Sequence, residues 1–529
     1  MKSRRLTTRG KVLTFFIVVL GTPVLLAALL LVYFRRYPPL NRDWVVTALE
    51  KRYLCEVELK SLTVTLVPSL SIVGEGLLLK RKEGAGLPPL ANINKFSLQG
   101  EWLALLRHPR HFGQVRLEGL VIVVPPRVKE VQAGRSQPEL KGQQELPEQQ
   151  VSSFVLDEVL AEGAKLSILS ANRSKPPHEF EIHRLRMRSA GPGQPMSFEV
   201  TLTNPTPVGQ VQSSGQFGPW NADDPSLTPV SGTYSFSHAE LSTLRGLGGT
   251  LSSHGSYQGV LSEIQVHGET DTPDFDLGIS GNRLHLKTEF SALVDGVNGD
   301  TLLRPVSAQL LESKVVARGG VAQEAVGKGR IILLDVSAQP ARLEDLLRLA
   351  VKSTVPSMTG MLNAQTKFDL HPGEEEIAKR LKLDGSFTVQ SGRFTNPATE
   401  AKIAGLSRRG QGKPRDEDIQ NVQFDAQGQF ALLNGEVTFS RLAFSVPGAS
   451  VELQGTFGLL SQALDFHGTL RLQAKISQTT SGIKSLLLKP IDRLFEREGA
   501  GTVLPIKILG TRGEPSIKVE IGKILKRED

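Results

Sequence analysis

The chain has 529 residues, with 51 glycines, 6% aromatic residues and a single cysteine, Cys55. That length suits several ordinary domains or one elongated body, and a lone cysteine excludes an internally disulfide-stapled fold. The formal charge of +8 is local: residues 1–60 hold 11 Lys/Arg against 4 Asp/Glu and the remainder 51 against 50, so the body is neutral and nucleic acid is excluded as a partner.

The basic excess flanks Val12–Phe34, VLTFFIVVLGTPVLLAALLLVYF, which carries no charge. A bilayer core of about 30 Å needs about 20 apolar residues at 1.5 Å rise, so this run predicts a transmembrane helix over 12–34. Lys2, Arg4, Arg5, Arg9 and Lys11 precede it. The positive-inside bias then puts residues 1–11 in the cytoplasm and 35–529 on the far side. The competing reading is a cleaved signal peptide, whose apolar region of about 7–15 residues is shorter than this one and ends at small residues. Here the run ends LLLVYFRR.

Asp43–Tyr53 reads as a short helix. From Glu56 the period becomes two: Val57 and Leu59 alternate with polar residues, then Leu62, Val64 and Leu66 continue on the other parity, which predicts a bulge near Ser61. Further strands are expected at Ile72–Leu79, Phe96–Leu98 and Val115–Val124, with a helical turn at Glu101–Leu106. Pro125-Pro126 closes this first β-unit, 35–127. Residues 128–150, VKEVQAGRSQPELKGQQELPEQQ, have almost nothing to bury and read as a polar linker or solvated loop.

Strand follows strand through 151–420. Residues 232–257 resemble 332–368: each reads as a strand, a short leucine-bearing helix and a Gly-x-Leu opening the next strand, at Gly249/Leu251 and Gly360/Leu362. The region 421–529 carries the clearest pattern. Val422, Phe424, Phe430 and Leu432 share one parity; Asn434-Gly435 suits a type I′ turn; Val437 and Phe439 return. Leu442, Phe444 and Val446 shift parity, and Pro447-Gly448 turns again. Val451, Leu453 and Phe457 are followed by Leu464, Phe466, Leu470 and Leu472. This predicts an antiparallel meander with one apolar face, which these residues line, and with Asp465 and Arg471 on the solvent side. In 481–498, SGIKSLLLKPIDRLFERE, the residues Ile483, Leu486, Leu487, Ile491 and Leu494 can share a helical face among Lys484, Lys489, Arg493 and Arg497. Such a stripe either caps a sheet end or contacts a membrane or partner, and Pro490 interrupts it.

No set of residues makes a catalytic constellation. His108 and His111 flank Pro109, which prevents the helical pair of a zinc protease. Asp295–Asp300 has the oxygen density of a calcium loop without its alternation, and Val306 stands where a bidentate Glu is needed. Asp271–Asp276 reads as a turn entering a strand. There is no phosphate-binding loop, dinucleotide fingerprint or nucleophile elbow. No enzyme activity, metal or cofactor is expected.

The order of these pieces resembles a family. A basic tail and one anchor lead into ALEKRYLCEVELKSLTVTLVPSLSIVGEGLLLKR, with Pro68-Ser69 at a turn, and then LANINKFSLQGEWLALLRHPRHFGQVRLEGLVIVVPPR. Near the other end come Val446-Pro447-Gly448-Ala449 and PIKILGT (505–511) ahead of Glu514-Pro515. The chain is similar to AsmA-like proteins of the Gram-negative envelope, AsmA/TamB-type proteins related to bridge-like lipid transfer proteins. The resemblance spans nearly the whole chain except the polar linker. It implies a mainly β protein: one N-terminal transmembrane helix, then an elongated, twisted antiparallel β-groove of repeated strand units with short crossing helices. It implies a single-pass bacterial inner-membrane protein with its bulk in the periplasm, acting in outer-membrane biogenesis. Its cargo would be phospholipids, whose acyl chains the groove would shield at about 0.8 kcal/mol per CH₂ otherwise exposed to water. About 25–30 strands at about 4.8 Å spacing would give a groove of about 120–140 Å. The alternative is a periplasmic scaffold or assembly factor for outer-membrane proteins that works through exposed strand edges without moving lipid.

Overall fold

A computed structural model describes residues 42–53, 55–65, 70–80, 88–100, 110–124, 154–169, 177–190, 194–219, 221, 224–278, 280–324, 329–373, 375–480 and 501–520. The expected membrane span 12–34, the turn at 101–106, the polar segment 128–150 and the amphipathic stretch 481–498 lie outside them. Among the described residues no helix is long and apolar enough to cross a membrane. The mainly β expectation holds: these residues form 24 strands and four short α-helices. They divide into two compact units, residues 1–202 and 203–529.

In the first unit, helix α1 (Arg42–Tyr53) leads into β1 (Glu56–Thr65), β2 (Leu70–Lys80), β3 (Ala91–Gly100), β4 (Arg110–Val124), β5 (Phe154–Ile168) and β6 (His178–Ala190). Val45, Val46 and Leu49 of α1 pack on the buried Cys55, Val57, Leu59 and Leu77. Arg42 Nε donates to the Leu59 carbonyl at 2.6 Å and ties the helix to the strand. Strands β1 to β4 pair consecutively and antiparallel. The wholly antiparallel expectation fails at β4 and β5, which pair in parallel from Arg110↔Phe154 to Val124↔Ile168. A parallel neighbour needs a crossover connection of a dozen or more residues, and residues 125–153 supply one. β5 and β6 are antiparallel again.

No one-residue bulge sits near Ser61, because the β1–β2 register is unchanged on both sides of it. The parity change has a different cause. Gly76, Gly119 and Gly163 take φ of 66°, 64° and 63°. The registers put them in one row, Lys60–Gly76–Asn94–Gly119–Gly163–His183, and all five pairs of this row are absent from the ladders. On either side of the row stand residues three apart that turn inward: Leu59/Leu62, Ile93/Phe96, Leu117/Leu120, Ala161/Ala164 and Ile182/Leu185. A crease therefore crosses all six strands at one level. The left-handed conformation that makes it strains any residue with a Cβ, which is why glycine stands at three of its positions.

Strand β7 (Met196–Pro205) carries the chain into the second unit. There follow β8 (Val208–Phe217), β9 (Pro229–Glu240), the two-residue β10 (Leu247–Gly248), β11 (Thr250–Val260), β12 (Glu263–Leu277), β13 (Leu284–Val294), β14 (Thr301–Leu310), β15 (Ser313–Gln323) and β16 (Arg330–Arg342). Helix α2 (Leu343–Ala350), β17 (Met358–Leu370), helix α3 (Ile377–Arg380), β18 (Leu381–Phe394) and helix α4 (Pro397–Gly410) come next. The unit ends with β19 (Phe424–Leu433), β20 (Glu436–Val446), β21 (Ala449–Gly458), β22 (Ala463–Leu472), β23 (Thr502–Thr511) and β24 (Pro515–Val519). From β8 on, apart from β10, which borders β12, each strand pairs antiparallel with the next in sequence, β9 with β11. The two similar segments both fold as strand, short helix and strand: β9, a 3₁₀ turn at Leu241–Thr243, then β11; and β16, α2, β17. Asn434 and Gly435 have φ of 53° and 78°, the left-handed pair of a type I′ hairpin. The expected parity shift after Phe439 is a register shift between Phe439 and Leu442.

Candidate functional site: the apolar face of the second unit

The registers sort the inward side chains of β17–β23 into rows across the strands. One row is Leu362–Val389–Ala426–Phe444–Val451–Leu470, with Phe424, Ala449 and Leu472 just beyond it. Helix α4 closes this end. Asn396 caps it, its Oδ1 accepting from the amides of Ala398 and Thr399 at 3.0 and 3.1 Å, and Pro397 fixes its first turn. Ala404, Ser407 and Gly410 are its buried side, and Ser407 Oγ donates to the Pro447 carbonyl at 2.7 Å. A Cβ on Gly410 would stand 2.4 Å from the Gly448 carbonyl oxygen, so glycine lets the helix end lie on the 447–448 turn. Leu343 and Leu346 of α2 join Ile403 and Leu406 over a core of Leu362, Val389, Val422, Phe424, Val446, Ala449 and Leu472.

Two further rows lie farther from the helices. The first is Gly385–Phe430–Phe439–Gly455–Phe466–Ile508 and the second Leu383–Leu432–Val437–Phe457–Leu464. Aromatic rings link the strands: Phe387 to Phe430 at 6.3 Å, Phe430 to Phe439 at 6.5 Å and Phe439 to Phe466 at 5.8 Å between centroids. Gly455 lies between the last two, and its missing side chain lets the rings of β20 and β22 meet across β21.

The structure brings all thirteen expected lining residues to this face, in two environments. Val422, Phe424, Leu432, Phe466 and Leu472 are buried. Phe430, Val437, Phe439, Val451, Leu453, Phe457, Leu464 and Leu470 are half-buried. Asp465 and Arg471 are exposed on the other side. Sequence reasoning omitted Leu383, Phe387 and Val389 of β18, although their odd-numbered alternation was available, and Leu504, Ile506 and Ile508 of β23. The expected contact residues Ile483, Leu486, Leu487, Ile491 and Leu494 lie outside the described residues.

The same face has a different floor at β8–β13. Tyr234 and Tyr257 lie flat in opposite directions over strands bare of side chains at Gly255, Gly268 and Gly232. Ser213 Oγ donates to the Thr233 carbonyl at 2.8 Å and so accepts from the Tyr257 hydroxyl at 2.7 Å. Ser253 Oγ donates to the Glu269 carbonyl at 2.9 Å and accepts from the Tyr234 hydroxyl at 3.2 Å. All four hydroxyl protons are used within the sheet. Burial raises both phenols above their usual value, partly offset by the serine bonds.

The acidic segments are spent on structure, and Asp271–Asp276, expected as a turn entering a strand, lies within β12 at a register shift between Thr272 and Phe275. Asp295 Oδ1 accepts from the amides of Val297 and Asn298 at 2.8 and 3.2 Å, and Asp300 Oδ1 from the Gln323 amide at 2.9 Å. Arg330 Nη2 donates to the Asn298 carbonyl at 2.6 Å, setting a guanidinium against the turn. Asp274 Oδ1 takes the Thr250 amide at 2.7 Å, while Asp271 faces His285 Nε2 at 2.6 Å. His108 lies outside the described residues, and His111 falls on β4. No protein family, curated protein or solved structure matches the chain.

Proposed function

We propose that the chain is an AsmA-like envelope protein, anchored in the inner membrane by residues 12–34, that carries phospholipid acyl chains along the apolar face of its second unit toward the outer membrane. The outer rows, with Phe430, Phe439, Phe457 and Leu464 half-buried, carry this reading: aliphatic and aromatic side chains continue from strand to strand, while α4 and α2 cover the other end. The floor at β8–β13 supports it too, because hydroxyls whose protons are already committed give an anionic head group nothing to hold. Acyl chains then slide without a binding step, and neither catalysis nor a cofactor is required.

The informative substitutions follow from the two environments. A charge at Phe424 or Leu472 would sit in the closed core under α4 and α2 and unfold the unit. A charge at Phe457 or Leu464 leaves the capped core untouched. Phe457→Asp should leave protein abundance near normal and block lipid passage, and a photo-crosslinking residue at Leu453 should yield a lipid adduct. A folded, abundant Phe457→Asp protein with normal function would overturn the conduit. The scaffold reading draws on one observation: at the terminal strand β24, Ile517 is 67% exposed and Val519 44%. Adducts at Leu453 to protein and never to lipid would favour it.

A further inference from the structure

On the face opposite the apolar rows, β15–β20 enclose a shallow polar depression of ≈ 990 Å³, continued by one of ≈ 220 Å³ that shares Gln365, Ser386 and Gln429. A twisted sheet is saddle-shaped, so each face is concave along one diagonal, and this hollow follows from the twist. Its floor is ordered by the register. A central row runs Ser337–Gln365–Ser386–Gln429–Arg441, one residue per strand. Beside it runs Arg318–Asp335–Lys367–Asp384, alternating in sign and neutral in sum. On the other side lie Asn363, Thr388 and Gln427.

We propose that this hollow binds a neutral N-acetylated glycan chain lying across the strands. Among the described residues, the side chains of Gln365, Gln427 and Gln429 have no hydrogen-bond partner. A carboxamide offers donors and an acceptor together, the complement of an acetamido group or a sugar hydroxyl. The central row repeats at the strand spacing of about 4.8 Å, close to the advance of one pyranose ring in an extended chain. Arg318, Lys367 and Arg441 against Asp335 and Asp384 leave the hollow at only +1, a poor grip on phosphate polymers, which call for several cations. Protein partners favour aromatic residues over the Ser, Asp and Lys that floor this hollow. Each contact is exposed and weak, so affinity comes from several rings engaging at once. The site stands independently of the lipid reading, on the other side of the same strands.

The test uses the full-length protein in detergent and chito-oligosaccharides of two to six sugars, with cello-oligosaccharides as the series lacking acetamido groups. Affinity should rise about tenfold or more from the disaccharide to the hexasaccharide and change little with salt. The Gln365→Ala/Gln429→Ala double variant should lose that gain while its thermal melt is unchanged, since both side chains are exposed. No binding by the wild type at millimolar hexasaccharide, or equal binding by the double variant, overturns the proposal. Equal binding of the cello series overturns its acetamido specificity.

Discussion

The two units solve one geometrical problem differently. A long strand with one buried face must change parity when its sheet bends, because successive side chains alternate. In the first unit the change falls at one level in every strand, on the glycine row from Lys60 to His183. In the second it comes strand by strand, as register shifts at Leu303/Val306, Ala338/Ala341, Val389/Gly392 and Phe439/Leu442. A shared crease concentrates the bend on three left-handed glycines. Dispersed bulges leave each strand to adjust separately, and the second unit gains its cohesion from a core under α4 and α2 at one end of its strands.

The sharpest way to break this contrast is at that core. Phe424→Ala removes a ring stacked 4.8 Å from Phe394 and 5.2 Å from Phe444, and should cost about 3–5 kcal/mol. Phe457→Ala, half-buried on an outer row, should cost about 1–2 kcal/mol. Denaturant titration of both variants compares them directly; equal losses would mean that the two ends of the strands are packed alike.

The crease is tested next. Gly119→Ala forces a Cβ into the left-handed region, costing about 1–2 kcal/mol, and sets it 2.3 Å from the Asn94 amide nitrogen. Gly163→Ala carries the backbone cost alone, since nothing lies within 4 Å. The first should lower thermal stability more than the second, and adding Asn94→Ala, which removes the two closest atoms and leaves Cβ at 3.0 Å, should narrow the gap. A Gly119→Ala protein as stable as wild type would remove the crease as a constraint. A smaller loss, about 1 kcal/mol, is expected for Asn396→Ala, which frees two amides at the start of α4; the melt of the second unit should move and that of the first should not.

The smallest effect lies at the parallel pair. Glu158 on β5 accepts from Gln114 of β4 at 2.6 Å and from Arg186 of β6, with Arg188 at 3.9 Å. The Gln114 and Arg186 hydrogen bonds hold its carboxyl below the usual 4.5. The folded state therefore binds the proton less readily than the unfolded chain, so the stabilisation is complete above 4.5 and fades as pH falls through the lowered value. The melting difference between wild type and Glu158→Gln should be present at pH 7 and vanish in that acidic window. A difference independent of pH would assign the effect to packing.

Much of the second unit was legible because alternation, turn chemistry and burial agree there. Asn434-Gly435 is a two-residue hairpin loop, and Val451, Leu453 and Phe457 face inward as their spacing predicts. Helix α1 also fell where its sequence put it, within one residue. The split of the apolar face into capped and half-buried ends was not legible, because α4 lies in sequence between β18 and β19 and period-two reasoning says nothing of which level a helix covers. The crease left a signal that was passed over. Glu75-Gly76, Glu118-Gly119 and Glu162-Gly163 repeat one dipeptide in three strands, each followed by an inward residue. Taken one strand at a time, the glycines look like separators; only pairing aligns them. The parallel pair had no local signal, since strand direction is not written in alternation.

That pair also sets a length. β4 and β5 run the same way in full register over 15 residues, so the chain leaving Val124 must return to the opposite end before Phe154. At about 3.3 Å per residue the distance is about 50 Å. Residues 125–153 have a contour of about 100 Å when extended, roughly twice what the return needs. Composition in this stretch is therefore free to drift, and its length is free only down to a floor. A tether cut below about 15 residues could no longer close the loop in that register, and β5 would have to turn over, carrying every later strand of its unit with it.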